Sequence, residues 1–214
     1  MPNWCYTQIN FHGNKNEIMD LHSKIDRWTS QELRKSDFGA SWLGNILQGA
    51  GLGYEIDRGV LRCRGSVTYL SDIDISSDED ATFGISTETA WAPNCLMWSE
   101  VIKVQGYKTI GFSYQAEECG MEVYETFDNY GDFPEKFYVD GYYEWEDKSP
   151  ELDTLLDTKY YTRDDDLITN LQAFLHTQET DLTKLIDMAH SYNFKNEDSY
   201  LRINEYAFVD TVEV

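Results

Sequence analysis

Thirty-nine carboxylates in 214 residues place paired acids throughout this chain, and paired acids are the machinery of glycoside hydrolysis. That reaction needs two carboxyls at a defined separation across a cleft, one with a raised pKa. Glu88, Glu117 and Glu122, with Trp91 and Tyr124 as sugar platforms, could be placed in such a cleft. With so many acids, however, some such arrangement is expected by chance. The four histidines, His12, His22, His176 and His190, are not paired with one another or with a cysteine at ligand spacing. They read as single, partly solvated side chains. Asp72 to Asp80 begins like a calcium loop, but Ser77 stands where an EF-hand needs glycine and Phe83 where it needs a bidentate glutamate. A solvated hairpin tip accounts for this stretch.

Other nucleophile and phosphate signatures fail in the same way. Gly49, Gly51 and Gly53 suggest a nucleotide loop, yet a dinucleotide fingerprint needs glycine at Tyr54, and a phosphate loop needs a following Lys and Ser or Thr. The glycines read as a helix stop. Cys5, Cys63, Cys95 and Cys119 form no C-x-x-C pair, so neither a zinc site nor a thioredoxin-type centre is expected. They read as reduced core thiols of an intracellular protein. There is no G-x-S-x-G, no catalytic Cys/His context and no Walker sequence. The expectation is a protein without metal or cofactor that is not an enzyme. A glycosidase-like hydrolase using paired carboxylates is the alternative.

Charge is the most distinctive property. The formal net charge is −22, with 17 basic residues, which disfavours binding a nucleic-acid backbone or an anionic membrane. No run of eighteen apolar residues and no leader pattern is present, so a cytoplasmic location is expected. The hydrophobic fraction of 41% is enough for a core. Residues 1–64 hold seven acids and eight bases, whereas residues 115–157 hold fourteen acids and two bases. That acidic stretch is interleaved with Tyr114, Tyr124, Phe127, Tyr130, Phe133, Phe137, Tyr138, Tyr142, Tyr143 and Trp145.

The elements that must position these residues follow from periodicity. Trp4 to His12 alternates as a strand, with Cys5, Thr7, Ile9 and Phe11 on one side and Trp4, Tyr6, Gln8 and Asn10 on the other. Asn14 and Glu17 resemble a capping box opening a helix through Ile18, Leu21, Ile25 and Trp28. Ser41 to Leu47 suggests a short helix. Val67, Tyr69, Ile73 and Ile75, then Phe83 and Ile85, read as a hairpin. Pro93 fits the first turn of a helix carrying Cys95, Trp98 and Ile102, closed by Gly106. Strands follow through Ile110–Tyr114 and Met121–Phe127.

The resulting order of strand, helix, strand, strand, helix, strand is the split βαβ pattern of a ferredoxin-like α+β sandwich, with both helices on one face. Further strands near 120–127 and 135–145 would extend its sheet. The expected division is a domain over 1–148, with an insertion near 30–58, and a C-terminal extension over 149–214. Pro150 lies in an acidic linker. Beyond it come helices through Leu167–Leu175 and Leu182–Ala189 with Asp164 and Asp181 at their N-caps, then strand alternation through Leu201, Ile203, Ala207 and Val209.

The opening Met1-Pro2-Asn3-Trp4-Cys5-Tyr6 resembles the M-P-N-W-C-x-N start of the YubB-type ferredoxin-like family, plasmid- and phage-encoded proteins of undefined biochemistry. Thr87-Glu88-Thr89-Ala90-Trp91-Ala92-Pro93 resembles that family's T-x-W-x-P segment, and Tyr114 to Gly120 its Y-x-E-x-G turn. The resemblance spans roughly residues 1–145 and departs at Thr7, where the family has Asn. It implies a ferredoxin-like fold and a mobile-element origin, and it supplies no catalytic residues.

Ordinary surfaces intersperse both signs of charge, so the uncompensated acids point to a negative face presented to a basic protein partner. Its most concrete form is inhibition of a nucleic-acid-binding host defence factor, with carboxylates standing in for phosphates. The residues expected to form that face are Glu117, Glu118, Glu122, Glu125, Asp128 and Asp132.

Overall fold

The computed structural model describes residues 3–30, 38–162 and 166–211. It is a mixed α/β protein dividing into two compact units, Met1–Phe133 with Ala207–Val214, and Pro134–Tyr206. Seven α-helices lie within the described residues.

The first unit is built on a mixed sheet in the order β10-β6-β5-β1-β4-β2, with β3 also paired to β4. Its strands are β1 (Trp4–Asn14), β2 (Gly65–Leu70), β3 (Asp74–Ile75), β4 (Asp80–Ala90), β5 (Gly111–Glu118), β6 (Val123–Phe127) and β10 (Ala207–Phe208). β1 is central, antiparallel to β4 on one side and to β5 on the other. Its alternation is the expected one: Cys5, Thr7, Ile9 and Phe11 are buried, whereas Trp4 and Tyr6 are exposed. Burial at Phe83, Ile85, Thr87 and Thr89 of β4, and at Phe112, Tyr114 and Ala116 of β5, continues the buried face.

Helices α1 (Lys15–Trp28) and α4 (Leu96–Gln105) cover that one face. His22 of α1 meets Phe83 edge-on at 5.2 Å, and Trp98 of α4 meets Phe11 at 5.4 Å. Ile18, Leu21 and Ile25 of α1 and Met97, Trp98 and Val101 of α4 are buried there. The short helices α2 (Leu43–Gly49) and α3 (Gly53–Asp57) complete the unit.

Several local expectations are corrected. Asn14 caps α1 by accepting from the Asn16 amide, but Glu17 does not close a box with it. Its carboxylate accepts instead from the amides of Lys108 and Thr109 and from the Thr109 hydroxyl, tying α1 to the turn before β5. The helix stop expected at the glycines is present, since α2 ends at Gly49 and Gly51 follows at φ 89°, but Gly53 opens the further short helix α3. Pro93 precedes α4, whose N-cap is Cys95, because the Thr89 hydroxyl donates to the Ala92 carbonyl and holds residues 89–92 in a turn. Gly106 ends α4 at φ 78°, the left-handed conformation that glycine adopts without cost.

The second unit has its own three-stranded sheet, β8-β7-β9, from β7 (Lys136–Tyr142), β8 (Tyr160–Thr162) and β9 (Tyr200–Glu205). It has its own core of Phe137, Val139, Leu155, Leu171, Leu185 and Ile203, covered by α5 (Pro150–Thr158), α6 (Leu167–Leu175) and α7 (Leu182–His190). The strand expected near 135–145 therefore does not extend the large sheet, since its partners are β8 and β9. The division falls at 133/134 instead of 148/149 for the same reason. The expected linker at Pro150 is helix α5, with Ser149 accepting from the Leu152 amide and proline at its first position. Asp181 caps α7 through the Lys184 amide, as expected. Asp164 lies outside the described residues, and Asp166 occupies the cap position of α6. Ala207 and Val209 leave β9 behind: β10 pairs in parallel with β6, and the Val209 amide donates to Thr126.

Candidate functional site

The second face of the large sheet carries side chains that its helices do not cover. Strand register places Tyr6 directly between Glu88 on β4 and Glu117 on β5, and alternation points all three away from the buried face. The next row holds Gln8 between Ser86 and Gln115, of which Gln115 is buried and donates to the Thr126 hydroxyl. Trp4, Tyr6 and Tyr69 are 42%, 53% and 60% exposed on this face, the first two on the central strand and Tyr69 on the edge strand β2. Tyr69 reaches it because β2 bulges between Val67 and Tyr69, so that Val67 pairs with Thr87 and Tyr69 with Ser86.

The six acids singled out from the sequence are not brought onto one face. Glu117 belongs to the open-face row. Glu118 points the opposite way, is 4% exposed, and accepts from the amides of Gly120 and Met121. Glu122 is exposed in that turn with φ 57°. Glu125 is on the helix-covered side, where the Tyr114 hydroxyl donates to it at 2.8 Å. Asp128 is the anchor of the loop after β6: it accepts from the Ser113 hydroxyl and from the amides of Tyr130, Gly131 and Phe133. Partial burial pushes its carboxyl up, but those hydrogen bonds, Phe133 foremost, outweigh it and hold the group at about 2. Asp132 lies 2.7 Å from His12 Nε2, and the His12 ring stacks on Tyr130 at 4.2 Å.

The interleaving of acids with tyrosines therefore has a physical content of its own. Carboxylates accept from phenols at Tyr114–Glu125, Tyr142–Glu144, Tyr143–Asp153 and Tyr107–Asp20. Burial and then the bond to Asp20 raise the Tyr107 hydroxyl to about 12, while Lys24 opposes the shift. In the second unit Asp147 accepts from the amides of Lys195 and Asn196 and from the Ser199 hydroxyl. Much of the acidic stretch thus serves as hydrogen-bond acceptors within its own unit.

Beneath the Thr89–Cys95 turn, on the helix-covered side, lies a cleft. Its inner part, about 260 Å³, is floored by Tyr114, Glu125 and Cys95, and its outer part, about 650 Å³, is rimmed by Arg62, Arg64 and Trp91. All four cysteines are free. Burial pushes the Cys5 thiol to about 12, the Thr7 hydroxyl opposing it and Glu125 adding to it. Burial, then Glu125 and Cys5, carries Cys95 well above its ordinary value. Both are therefore thiols rather than thiolates at neutral pH, unsuited to nucleophilic attack. No group of three or more His, Cys, Asp or Glu side chains among the described residues is arranged to hold a metal ion. No helix among them is long and apolar enough to cross a membrane.

No known protein family, no curated protein and no solved structure matches the chain. Residues 3–6, 87–93 and 114–120 meet in space. The Trp91 amide donates to the Asn3 carbonyl, Gly120 lies against the Asn3 side chain, and Cys5 is in register with Thr89. Nothing in the sequence sets Arg62 and Arg64 apart from the other bases of a neutral third of the chain except their alternate spacing around Cys63 just before a strand.

Proposed function

We propose that this chain is an acidic binding protein whose open sheet face receives a basic protein segment, arginine side chains in particular. The observation that carries the reading is the row Glu117–Tyr6–Glu88, with Trp4 beside it, at the border between the exposed side chains of β1 and the buried Gln115 and Tyr124 on the same face. A guanidinium stacks on a tyrosine or tryptophan ring and pairs with a carboxylate through its planar fork. A net charge of −22 steers such a partner toward the surface. The finer version is inhibition: the carboxylates occupy positions that phosphates take in the groove of a nucleic-acid-binding protein, as an element carried by a phage or plasmid would use against a host factor. A ferredoxin-like core for the first unit is part of this reading. Its support is the β1-α1-β2-β4-α4-β5 order, with both helices on one face.

The hydrolase alternative is less favoured by geometry. Glu88 and Glu117 are two strands apart, about 10 Å between backbones, and lie on a sheet face rather than across a cleft.

The test is binding of a nona-arginine peptide measured by fluorescence anisotropy. Affinity should fall steeply between 50 mM and 500 mM NaCl. The E88Q/E117Q variant should bind at least about tenfold more weakly, whereas a charge-matched control, E146Q/D157N, should bind almost as the parent does. Equal losses in the two variants would show only diffuse attraction and would overturn the reading.

A further inference from the structure

We infer that the cleft beneath the Thr89–Cys95 turn is a binding site for a mononucleotide, its phosphate between Arg62 and Arg64 and its base against Trp91. The first observation is electrostatic. In a chain with more than two acids for every base, cations are expected to find carboxylates. Yet neither the Arg62 nor the Arg64 guanidinium is paired with a carboxylate of the described residues. Both side chains are exposed on the rim of the same cavity. Two arginines two residues apart on one rim form a fork suited to the several oxygens of a phosphate monoester.

The second observation is backbone strain. Trp91 sits at φ 77°, a region that bulky side chains avoid and that persists only where the surroundings fix it. Here they do: the Trp91 amide donates to Asn3 at 3.0 Å, the Ala90 amide to Arg64 at 3.0 Å, and the Thr89 hydroxyl to Ala92 at 2.7 Å. The strained turn holds an indole that is 45% exposed at the mouth of the cleft, instead of burying it. The same hydrogen bond joins Ala90 to Arg64, so the turn that carries the indole and the backbone that carries one cation are tied by a single contact. The Asn94 side-chain amide donates to the Arg62 carbonyl and fixes the other.

The third observation is size and lining. The outer cavity of about 650 Å³ falls within the range of small-molecule sites. Its wall combines apolar Leu61, Ile56 and Pro93 with the charged rim. An inorganic ion would leave the apolar wall and indole unused, whereas a nucleobase is flat, heteroaromatic and of suitable size. A polynucleotide is disfavoured by repulsion from the rest of a strongly negative surface. The cavity shares no lining residue with the Glu117–Tyr6–Glu88 row, so it goes beyond the proposed docking face and does not depend on it.

Isothermal titration with each of the four ribonucleoside 5′-monophosphates tests the inference, with inorganic phosphate, the unphosphorylated nucleosides and a single-stranded decanucleotide as further probes. At least one monophosphate should bind with an affinity in the micromolar to sub-millimolar range. It should bind at least about tenfold more tightly than phosphate or its own nucleoside. The R62A/R64A variant, altered only at exposed side chains, should keep the parental melting temperature and lose binding by at least about tenfold. Trp91→Gly, which relieves the positive φ while deleting the indole, should retain the fold by circular dichroism and lose binding similarly. The E88Q/E117Q variant should bind the nucleotide as the parent does. Absence of binding at millimolar nucleotide, binding indifferent to R62A/R64A, phosphate bound as tightly as nucleotide, or tighter binding of the decanucleotide would each overturn the inference.

Discussion

Asp128 shows how a carboxylate in a strongly acidic chain becomes part of the scaffold. Its two oxygens receive one hydroxyl and three amides from Ser113, Tyr130, Gly131 and Phe133, so the loop after β6 is wound around a single charge. With the folded group held at about 2 against an unfolded value of about 3.9, the folded state binds the proton less readily. The resulting stabilisation is complete above about pH 4 and is lost as pH falls through about 2. Asp128→Asn keeps one acceptor oxygen but sets an amide donor against one of the backbone N–H groups. It should lower stability at pH 7 by about 1–2 kcal/mol, and urea melts should show a flatter pH dependence between 4 and 2 than the parent. A parental slope in the variant would place the acid sensitivity elsewhere. The cysteines give a second prediction at this scale. With Cys5 and Cys95 buried and raised, Cys63 half-buried and raised, and Cys119 exposed, a chromogenic disulfide reagent at pH 7.5 should label Cys119 first. Cys63 should follow, and Cys5 and Cys95 should react only on unfolding. Rapid labelling of four thiols in the folded protein would contradict the burial described.

At the scale of elements, what the sequence made legible was what periodicity encodes. β1 is read correctly because every second residue from Cys5 to Phe11 is apolar or small, and α1, α6 and α7 because their apolar residues recur at helical spacing. Pairing partners are not encoded that way. The Lys136–Tyr142 strand has the same alternation whether it joins the large sheet or the small one, and only the distant β8 and β9 decide it. The bulge in β2 is likewise invisible, yet it places Tyr69 on the open face. Helix α5 was legible in principle from Ser149-Pro150, but its surrounding acids read as a linker. The candidate site was half visible: Glu117 belongs to the open-face row, while its partners Tyr6 and Glu88 depend on register across three strands. Glu118, Glu125 and Asp128 look equivalent to Glu117 in sequence, and strand register, burial and hydrogen-bond partners distinguish them. The end of α4 offers a test of local backbone control. Gly106 is left-handed at φ 78°, and a Cβ added there would meet no heavy atom within 4 Å, so Gly106→Ala isolates backbone strain from steric clash. It should cost about 1 kcal/mol in thermal or urea unfolding, and Gly106→Asn less. Equal losses would mean that the side chain, rather than φ, sets the cost.

For the whole molecule, the division into units changes the meaning of the charge. Residues 134–206 hold 17 acids and seven bases, leaving 22 acids and ten bases in the other unit, so both units are strongly negative. The acidic stretch of the sequence is shared between them. Inside each unit, amide and phenol donors satisfy many carboxylates, but a hydrogen bond from a neutral donor does not cancel a charge. Net repulsion among the acids therefore remains in the folded state and is partly relieved when the chain expands. Salt shortens the reach of that repulsion from about 30 Å at 0.01 M to about 3 Å at 1 M. Raising NaCl from 10 mM to 500 mM at pH 7 should thus stabilise the protein by about 1–2 kcal/mol, or about 2–8 °C in melting temperature for a chain of this size. Circular dichroism melts across a salt series measure it directly. Stability that falls with salt would mean that attractive pairs such as Lys24–Asp20 and Lys184–Glu179 outweigh the repulsion. The same salt that stabilises the fold should weaken the arginine peptide at the open face, because one effect relieves like charges and the other screens unlike ones. The two opposite trends, measured on one sample, separate the energetic cost of the negative surface from its use in binding.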